Sequence, residues 1–181
     1  MGWSRAELEA FAGRTIPDLI PDDLHLLFVG INPGLISAAT GLHFARRGNR
    51  FYPALMRAGL VDTIDPADAA SQLRARGVGI TNIVARASAR ADELDPAELV
   101  DGRARLEQVV LEHRPRVVAI AGITSYRVAF GRRRAMAGPQ PDSIGDARLW
   151  VVPNPSGLNA HETVESLAGA YADAARAAGV L

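Results

Sequence analysis

Two asparagines stand in loops of the same type, each directly after a predicted buried strand. Asn32 follows the apolar run 24–29 and begins Asn-Pro-Gly-Leu, while Asn154 follows the run 149–152 and begins Asn-Pro-Ser-Gly-Leu. The proline favours an extended backbone at each asparagine, and the glycines allow another group to approach the backbone closely. A carboxamide can orient a water molecule or bond a ligand, but it is not a strong base. Turn formation alone is the alternative for either loop taken by itself.

Strands and helices alternate along the sequence, which predicts an α/β fold with a parallel sheet and helices on both faces. The predicted strands cover residues 24–29, 78–83, 116–121 and 149–152, and the helices lie near 4–12, 49–58, 65–77, 95–113, 124–130 and 161–178. Residues 86–93 and 131–145 are predicted loops. Because parallel strands share one carboxyl edge, both asparagine loops are expected to face one cleft. We predict a single domain over residues 1–181, in which 1–23 form a helix and a connector.

Composition excludes several kinds of chemistry. The chain has no cysteine, which rules out disulfides, iron–sulfur clusters and thiolate zinc sites. All 20 basic residues are arginine, so no lysine Schiff base can form. The net charge is zero and does not by itself indicate nucleic acid. Without a recognisable signal peptide, membrane-spanning run or heptad pattern, we expect a cytoplasmic monomer.

Arginines are concentrated in two places. Arg46, Arg47 and Arg50 follow the first asparagine loop, and residues 132–134 form a second run. Guanidinium groups suit bidentate contacts to phosphate, although a run of arginines more often forms a solvated face. The first group is the stronger candidate for phosphate binding because of its neighbouring loop.

Three sequence blocks together resemble the mismatch-specific uracil/thymine-DNA glycosylases, family 2 of the uracil-DNA glycosylase superfamily. The blocks are GINPGLISAATGLHFARRGNRF, GITNIVARAS and NPSGL, in that family's order, and the similarity spans about residues 24–174. The resemblance implies a three-layer α/β/α fold with a four-stranded parallel sheet of order 2-1-3-4. It implies a monofunctional glycosylase of base excision repair that hydrolyses the N-glycosidic bond of uracil in double-stranded DNA, with G·U mismatches as the expected substrate. Neither a metal nor a cofactor is implied.

Residue roles in the first block follow from the resemblance. Asn32 matches the catalytic asparagine, which would aim water at the C1′ carbon of a flipped deoxyuridine. Phe44 matches the aromatic residue that stacks on the extruded base. Ser37 matches a position that can crowd the 5-methyl group of thymine, which favours uracil. Backbone N–H groups near Ile31, Gly34 and Phe44 would bond the uracil oxygens.

Two further residues near this block have open roles. Asn82, at the end of the second predicted strand, stands where some relatives carry lysine and others asparagine. Its amide is expected either to bond the base or to make a purely structural hydrogen bond, and the sequence favours neither. His43, next to the stacking aromatic residue, is either a phosphate contact or exposed to solvent.

The third block matches the family's wedge, which enters the duplex and fills the place of the flipped nucleotide. An apolar side chain at the loop tip would replace the lost stacking, although a plain packing role for Leu158 is the alternative. Together with the first arginine group, the residues predicted to contact DNA are Arg46, Arg47, Arg50, Asn154, Ser156, Gly157, Leu158 and Asn159.

The sequence also departs from its relatives. Asn159-Ala160-His161 stands where one branch carries Ser-Arg, which bears on how the opposite base is read. Family-one enzymes use an aspartate and a histidine where this chain has Asn32 and Asn154, so slower chemistry without a carboxylate base is expected. His161 is expected to be a helix cap or a surface residue. The alternatives are a glycosylase for hypoxanthine, xanthine or ethenocytosine, and a non-catalytic α/β module that binds damaged DNA.

Overall fold

A computed structural model describes residues 2–181, so Met1 of the predicted domain lies outside the described residues. The strands are β1 Leu26–Gly30, β2 Val78–Asn82, β3 Val117–Ala121, β4 Gly138–Ile144 and β5 Ala147–Val152. The helices are α1 Arg5–Glu9, α2 Leu35–Thr40, α3 Phe51–Arg57, α4 Pro66–Ala75, α5 Pro96–His113, α6 Ile123–Phe130 and α7 Val164–Ala178, with a 3₁₀ turn at Ala91–Glu93. None of the described helices is both long and apolar enough to cross a membrane.

The strands form one sheet of order β2-β1-β3-β5-β4, in which β4 pairs antiparallel with β5 and the other neighbours pair in parallel. The α/β class and the largely parallel sheet are confirmed. The prediction of four strands in the order 2-1-3-4 is wrong, because a fifth strand lies at the edge beside β5. The parallel strands alone do follow the predicted order.

The missed strand, β4, has the sequence GPQPDSI. Proline cannot donate to a ladder, so such a sequence is excluded from the centre of a sheet and tolerated at its edge. The register of β4 against β5 shifts between Pro139 and Ser143, and side chains along the strand alternate between partly buried and exposed. The composition that predicted a loop over 131–145 therefore also suits an irregular edge strand.

Helices pack on both faces of the sheet. On one face, Phe28 of β1 contacts Phe51 of α3 and Tyr171 of α7, with ring centroids 5.3 Å apart in both pairs. The other face is covered by α5 and α6, whose apolar side chains pack against the opposite sides of β1, β3 and β5. Burial on both sides explains why these strands are continuously apolar. The carboxyl edge of the sheet is thus held between two packed layers.

Two further segments, helix α2 and the connector before β1, lie near that carboxyl edge. Helix α2 begins after Gly34 and ends at Gly41, whose φ of 73° suits glycine. The sequence alone predicted no helix in this stretch after β1. The connector before β1 pairs with β2, since Leu19 and Ile80 exchange backbone hydrogen bonds of 2.9 and 2.8 Å. This pairing brings the preceding residues of the connector to the end of β2.

Candidate functional site

The carboxyl ends of β1, β2, β3 and β5 surround a cavity of about 190 Å³. Its volume equals that of roughly six water molecules, which suits one planar ring. Among the predicted site residues, those that line the cavity are Ile31, Asn32, Gly34, Ser37, Phe44, Arg46, Asn82, Asn154, Ser156 and Leu158. The others, which are Arg47, Arg50, Gly157 and Asn159, lie in the two loops beside its mouth. Both asparagine loops therefore border one cavity.

The carboxamide of Asn32 has a defined orientation. Its Nδ2 donates to the carbonyl of Arg86 at 3.0 Å and to Ser88 Oγ at 2.8 Å. A carbonyl can only accept, so the NH₂ group and not the oxygen must face Arg86. Ser88 Oγ in turn donates to the carbonyl of Arg90 at 2.7 Å. Within residues 2–181 no group donates to Asn32 Oδ1, which leaves this oxygen for a ligand or water in the cavity.

Residues 83–88 run beside the Asn32 loop and support it. Backbone N–H groups of Ile83, Val84 and Ser88 donate to the carbonyls of residues 30, 31 and 33 at 2.9, 2.9 and 3.1 Å. Together these bonds extend the pairing of β1 and β2 beyond the strand ends. They fix the distance between Asn32 and its two acceptors.

Arg86 is held by an ion pair with Glu98. Its Nε and Nη2 lie 2.5 and 2.9 Å from the two carboxylate oxygens. The side-chain hydrogen bond from Arg86 lowers the pKa of Glu98 to about 2. The pair therefore anchors the segment whose carbonyl receives the Asn32 amide. Sequence reasoning assigned residues 86–93 to a loop and missed Arg86 and Ser88, although both lie within the GITNIVARAS block.

Phe44 provides an aromatic wall. It adopts a φ of 53°, a region that costs about 1–3 kcal/mol for a residue other than glycine and is common at functional sites. One face of its ring stacks on Phe51, with centroids 4.0 Å apart and planes at 23°. Gly30 lies beneath, because a Cβ there would come within 2.6 Å of Asn82 Oδ1 and 3.1 Å of Phe44 Cζ. A larger residue at this position would therefore require the Asn82 amide or the Phe44 ring to move.

Ser37 and His43 also support the cavity wall. Ser37 is buried, and its Oγ accepts from the backbone N–H of Ala45 at 3.3 Å. His43 is only 6% exposed, and its Nε2 lies 2.9 Å from the carbonyl of Pro17. Burial lowers the pKa of His43. Neither role left open by the sequence applies, since the ring is neither exposed to solvent nor placed for phosphate.

The loop between β5 and α7 is folded by its own polar side chains. Asn154 Oδ1 accepts from the N–H of Ser156 at 3.0 Å, and Asn159 Nδ2 donates to the carbonyl of Asn154 at 3.2 Å. At the tip, Leu158 is 75% exposed. The structure thus presents a large apolar side chain at the mouth of the cavity. His161 is exposed as well.

Arg50 holds this loop in place. Its guanidinium donates to the carbonyls of Ser156 and Asn159 at 2.6 and 2.7 Å, and also to that of Glu162. Its backbone N–H donates to the carbonyl of residue 155 at 3.0 Å. Both Nη groups are engaged by main-chain carbonyls, and the buried Nε has no partner among the described residues. The structure thus shows Arg50 supporting the loop, while its contact to phosphate stays a prediction. Arg46 and Arg47 are exposed instead.

Gly157 explains how the two loops fit together. A Cβ at this position would lie 2.8 Å from the carbonyl oxygen of Gly48, so the arginine-bearing loop and the wedge loop touch through backbone atoms. Exposed arginines and an exposed leucine therefore share one surface around the cavity.

The family of the chain follows from comparison with known proteins. A model described as the Uracil DNA glycosylase superfamily matches residues 17–175, which include every strand of the sheet and every predicted site residue. The chain belongs to the uracil DNA glycosylase superfamily. Membership in this superfamily implies a glycosidic hydrolase that acts on DNA.

The fold of a solved structure agrees with this membership. The chain is similar to a candidate uracil DNA glycosylase from Methanosarcina acetivorans, determined in solution by NMR, with a TM-score of 0.61 and 17% sequence identity. The match covers 89% of this chain and 96% of the other. The similarity shows that the superfamily fold extends over nearly the whole chain.

Proposed function

We propose that the protein is a monofunctional uracil-DNA glycosylase of the mismatch-specific family 2, which releases uracil from G·U pairs and leaves an abasic site. The observation that carries the proposal is the orientation of Asn32. Both hydrogens of its amide are engaged by Arg86 and Ser88, and its oxygen is left for the cavity.

In the proposed reaction, Asn32 Oδ1 accepts a hydrogen bond from a water molecule and aims its oxygen at C1′. A neutral amide cannot remove the proton before attack, so the C1′–N1 bond must break first and leave its electron pair on uracil. The water oxygen then bonds to the cationic sugar carbon and loses its proton to the departing base or to solvent. The contribution of Asn32 is positioning, which can supply a large part of a barrier reduction.

The proposed binding of the base uses the wall described above. Phe44 stacks on the extruded ring, and its own position is fixed by Phe51. Backbone N–H groups near Ile31, Gly34 and Phe44 bond the uracil oxygens. Gly34 stands at the start of α2, where the first N–H groups of a helix have no partner within the helix. Ser37 narrows the space beside the base and thereby disfavours the 5-methyl group of thymine.

Contact with the duplex is proposed for the two loops at the cavity mouth. Leu158 enters the base stack and occupies the space of the flipped nucleotide. Arg46 and Arg47 neutralise phosphates, which contributes affinity that is independent of sequence and falls with salt. Arg50 acts indirectly, by holding the main chain of the wedge loop.

The proposal is tested by incubating the protein with a duplex that contains one G·U pair and then cleaving abasic sites with alkali. We expect strand cleavage with the wild type and its loss in Asn32→Ala. Gln140→Ala removes an amide from β4, outside the cavity lining, and should leave cleavage unchanged. Binding without cleavage by the wild type would instead support a DNA-binding module. Cleavage only of duplexes with hypoxanthine, xanthine or ethenocytosine would refute the assignment to uracil.

A further inference from the structure

We infer that His43 determines which atom of the Asn82 amide the cavity presents to the base, and that base selection therefore depends on the protonation of this one imidazole. The inference rests on the proposed glycosylase function. It assigns to His43 a positioning role, exerted through Asn82, that the sequence did not suggest.

The proton arrangement on His43 follows from its neighbours. The carbonyl of Pro17 lies 2.9 Å from Nε2 and can only accept, so Nε2 must carry the hydrogen. In a neutral imidazole the other nitrogen, Nδ1, then has a free lone pair and can only accept. The atom 3.4 Å from Nδ1 is Asn82 Nδ2, an amide donor. The two contacts are consistent with one tautomer of the ring.

This arrangement fixes the Asn82 amide. With Nδ2 turned to His43, Oδ1 lies on the opposite side, close to Gly30 and in the wall of the cavity. In the described chain no hydrogen bond is made to this oxygen. Arg105 holds the main-chain carbonyl of Asn82 at 2.7 Å, so the backbone is anchored and only the carboxamide is free to turn.

The cavity therefore presents a hydrogen-bond acceptor, which suits the N3–H of uracil. When His43 gains a second proton, Nδ1 becomes a donor and requires an acceptor opposite it. The Asn82 carboxamide must then turn over, so that Oδ1 faces His43 and the NH₂ group faces the base. An NH₂ group facing the N3–H of uracil would place two hydrogen-bond donors against each other. It instead suits a base whose ring nitrogen has a lone pair.

The charged and titratable groups around His43 come from three elements. Asp18 of the connector favours the protonated ring, and burial, the largest influence, opposes it. From α5, Arg105 lies 3.5 Å from Asp18 and offsets its charge. From α3, the hydroxyl of Tyr52 donates to the main-chain carbonyl of His43 at 2.9 Å. Because the net effect lowers the pKa of His43, the ring stays neutral at neutral pH and Asn82 keeps its Oδ1 turned to the base.

Nitrogen-15 NMR of the imidazole rings tests the tautomer of His43 directly, without a measurement of enzyme activity. His25→Asn removes a ring that pairs with Asp23 outside the cavity, and serves for assignment. We expect His43 to carry its proton on Nε2 at neutral pH and to titrate below the ordinary histidine range. A proton on Nδ1, or a doubly protonated ring at neutral pH, would overturn the inference.

Single-turnover release of uracil between pH 5 and 8 tests the consequence. We expect the wild-type rate, and that of His25→Asn, to fall at least about fivefold as His43 is protonated, which is the effect of one mismatched polar contact. His43→Asn places an amide oxygen near the position of Nδ1 and should give a flatter profile. His43→Leu leaves Asn82 unoriented and should reduce the preference for uracil at all pH values.

Identical pH profiles for the wild type and His43→Asn, together with unchanged base preference in His43→Leu, would overturn the inference. Absence of uracil release from the wild type at every pH would refute the proposed function, whereas the NMR experiment decides the tautomer separately.

Discussion

Replacement of Ser88 by alanine tests the support of the proposed catalytic amide without touching the amide itself. Ser88 is 3% exposed, and its hydroxyl accepts one of the two hydrogens of Asn32 Nδ2. Alanine removes this acceptor and also the bond from Ser88 Oγ to the carbonyl of Arg90. The bond from Asn32 to Arg86 remains, so the amide is loosened and not released.

The size of the effect follows from one lost hydrogen bond. Such a bond contributes a net 0.5–1.5 kcal/mol, roughly. If this free energy is needed to keep Oδ1 aimed at the water, and each 1.36 kcal/mol changes a rate about tenfold, the chemical step slows roughly two- to twelvefold. Affinity for the duplex should change little, because the lost contact lies behind the amide and not on the DNA surface.

Single-turnover excision of uracil from a G·U duplex measures the chemical step. Ser125→Ala is the matched control, because Ser125 is a buried serine of α6 that does not line the cavity. Ser88→Thr keeps a hydroxyl and should retain more activity than Ser88→Ala. An unchanged rate in Ser88→Ala, or a loss as large as that of Asn32→Ala, would refute the view that the two acceptors share the positioning of the amide.

Three further predictions concern DNA contact and stability. Leu158→Ala should reduce excision from paired DNA more than from single-stranded DNA, and equal losses would argue against a wedge. Replacing Arg46 and Arg47 together by glutamine should lower the slope of log affinity against log salt by about two, because each phosphate contact contributes about 0.9; an unchanged slope would place the phosphates elsewhere. The depressed pKa of Glu98 means that its stabilising pairing with Arg86 is complete above the ordinary carboxyl pKa and is lost as the pH falls towards about 2. Glu98→Gln should therefore weaken the dependence of unfolding free energy on pH in acid, and an unchanged dependence would exclude the pair as its source.

The parallel part of the fold was predictable because buried strands leave a simple signal. Strands β1 and β3 are continuous apolar runs ended by turns, and alternation with helices implies a parallel sheet. Strand β4 left no such signal. It pairs with a single strand and contains two prolines, so its local sequence is that of a loop. Its place is set by pairing with β5, which no local pattern encodes.

The candidate site was predictable where its residues adjoin a motif. Asn32 and Phe44 belong to one block of sequence and line one cavity. The acceptors of the Asn32 amide lie 54 and 56 residues away, and their roles depend on a backbone pairing that only the fold creates. The supporting role of Arg50 was missed for a related reason, since its charge suggested phosphate while its carbonyl partners lie more than 100 residues further on.

Catalysis by Asn32 is tested most directly by comparing wild type and Asn32→Ala on two duplexes. The first carries a G·U pair and reports the single-turnover rate of uracil release. The second carries 2′-fluoro-deoxyuridine, whose glycosidic bond resists cleavage, and reports affinity. We predict a rate loss of about a hundredfold or more with affinity nearly unchanged. Equal rates, or a rate loss explained entirely by weaker binding, would contradict a water-positioning role for this amide.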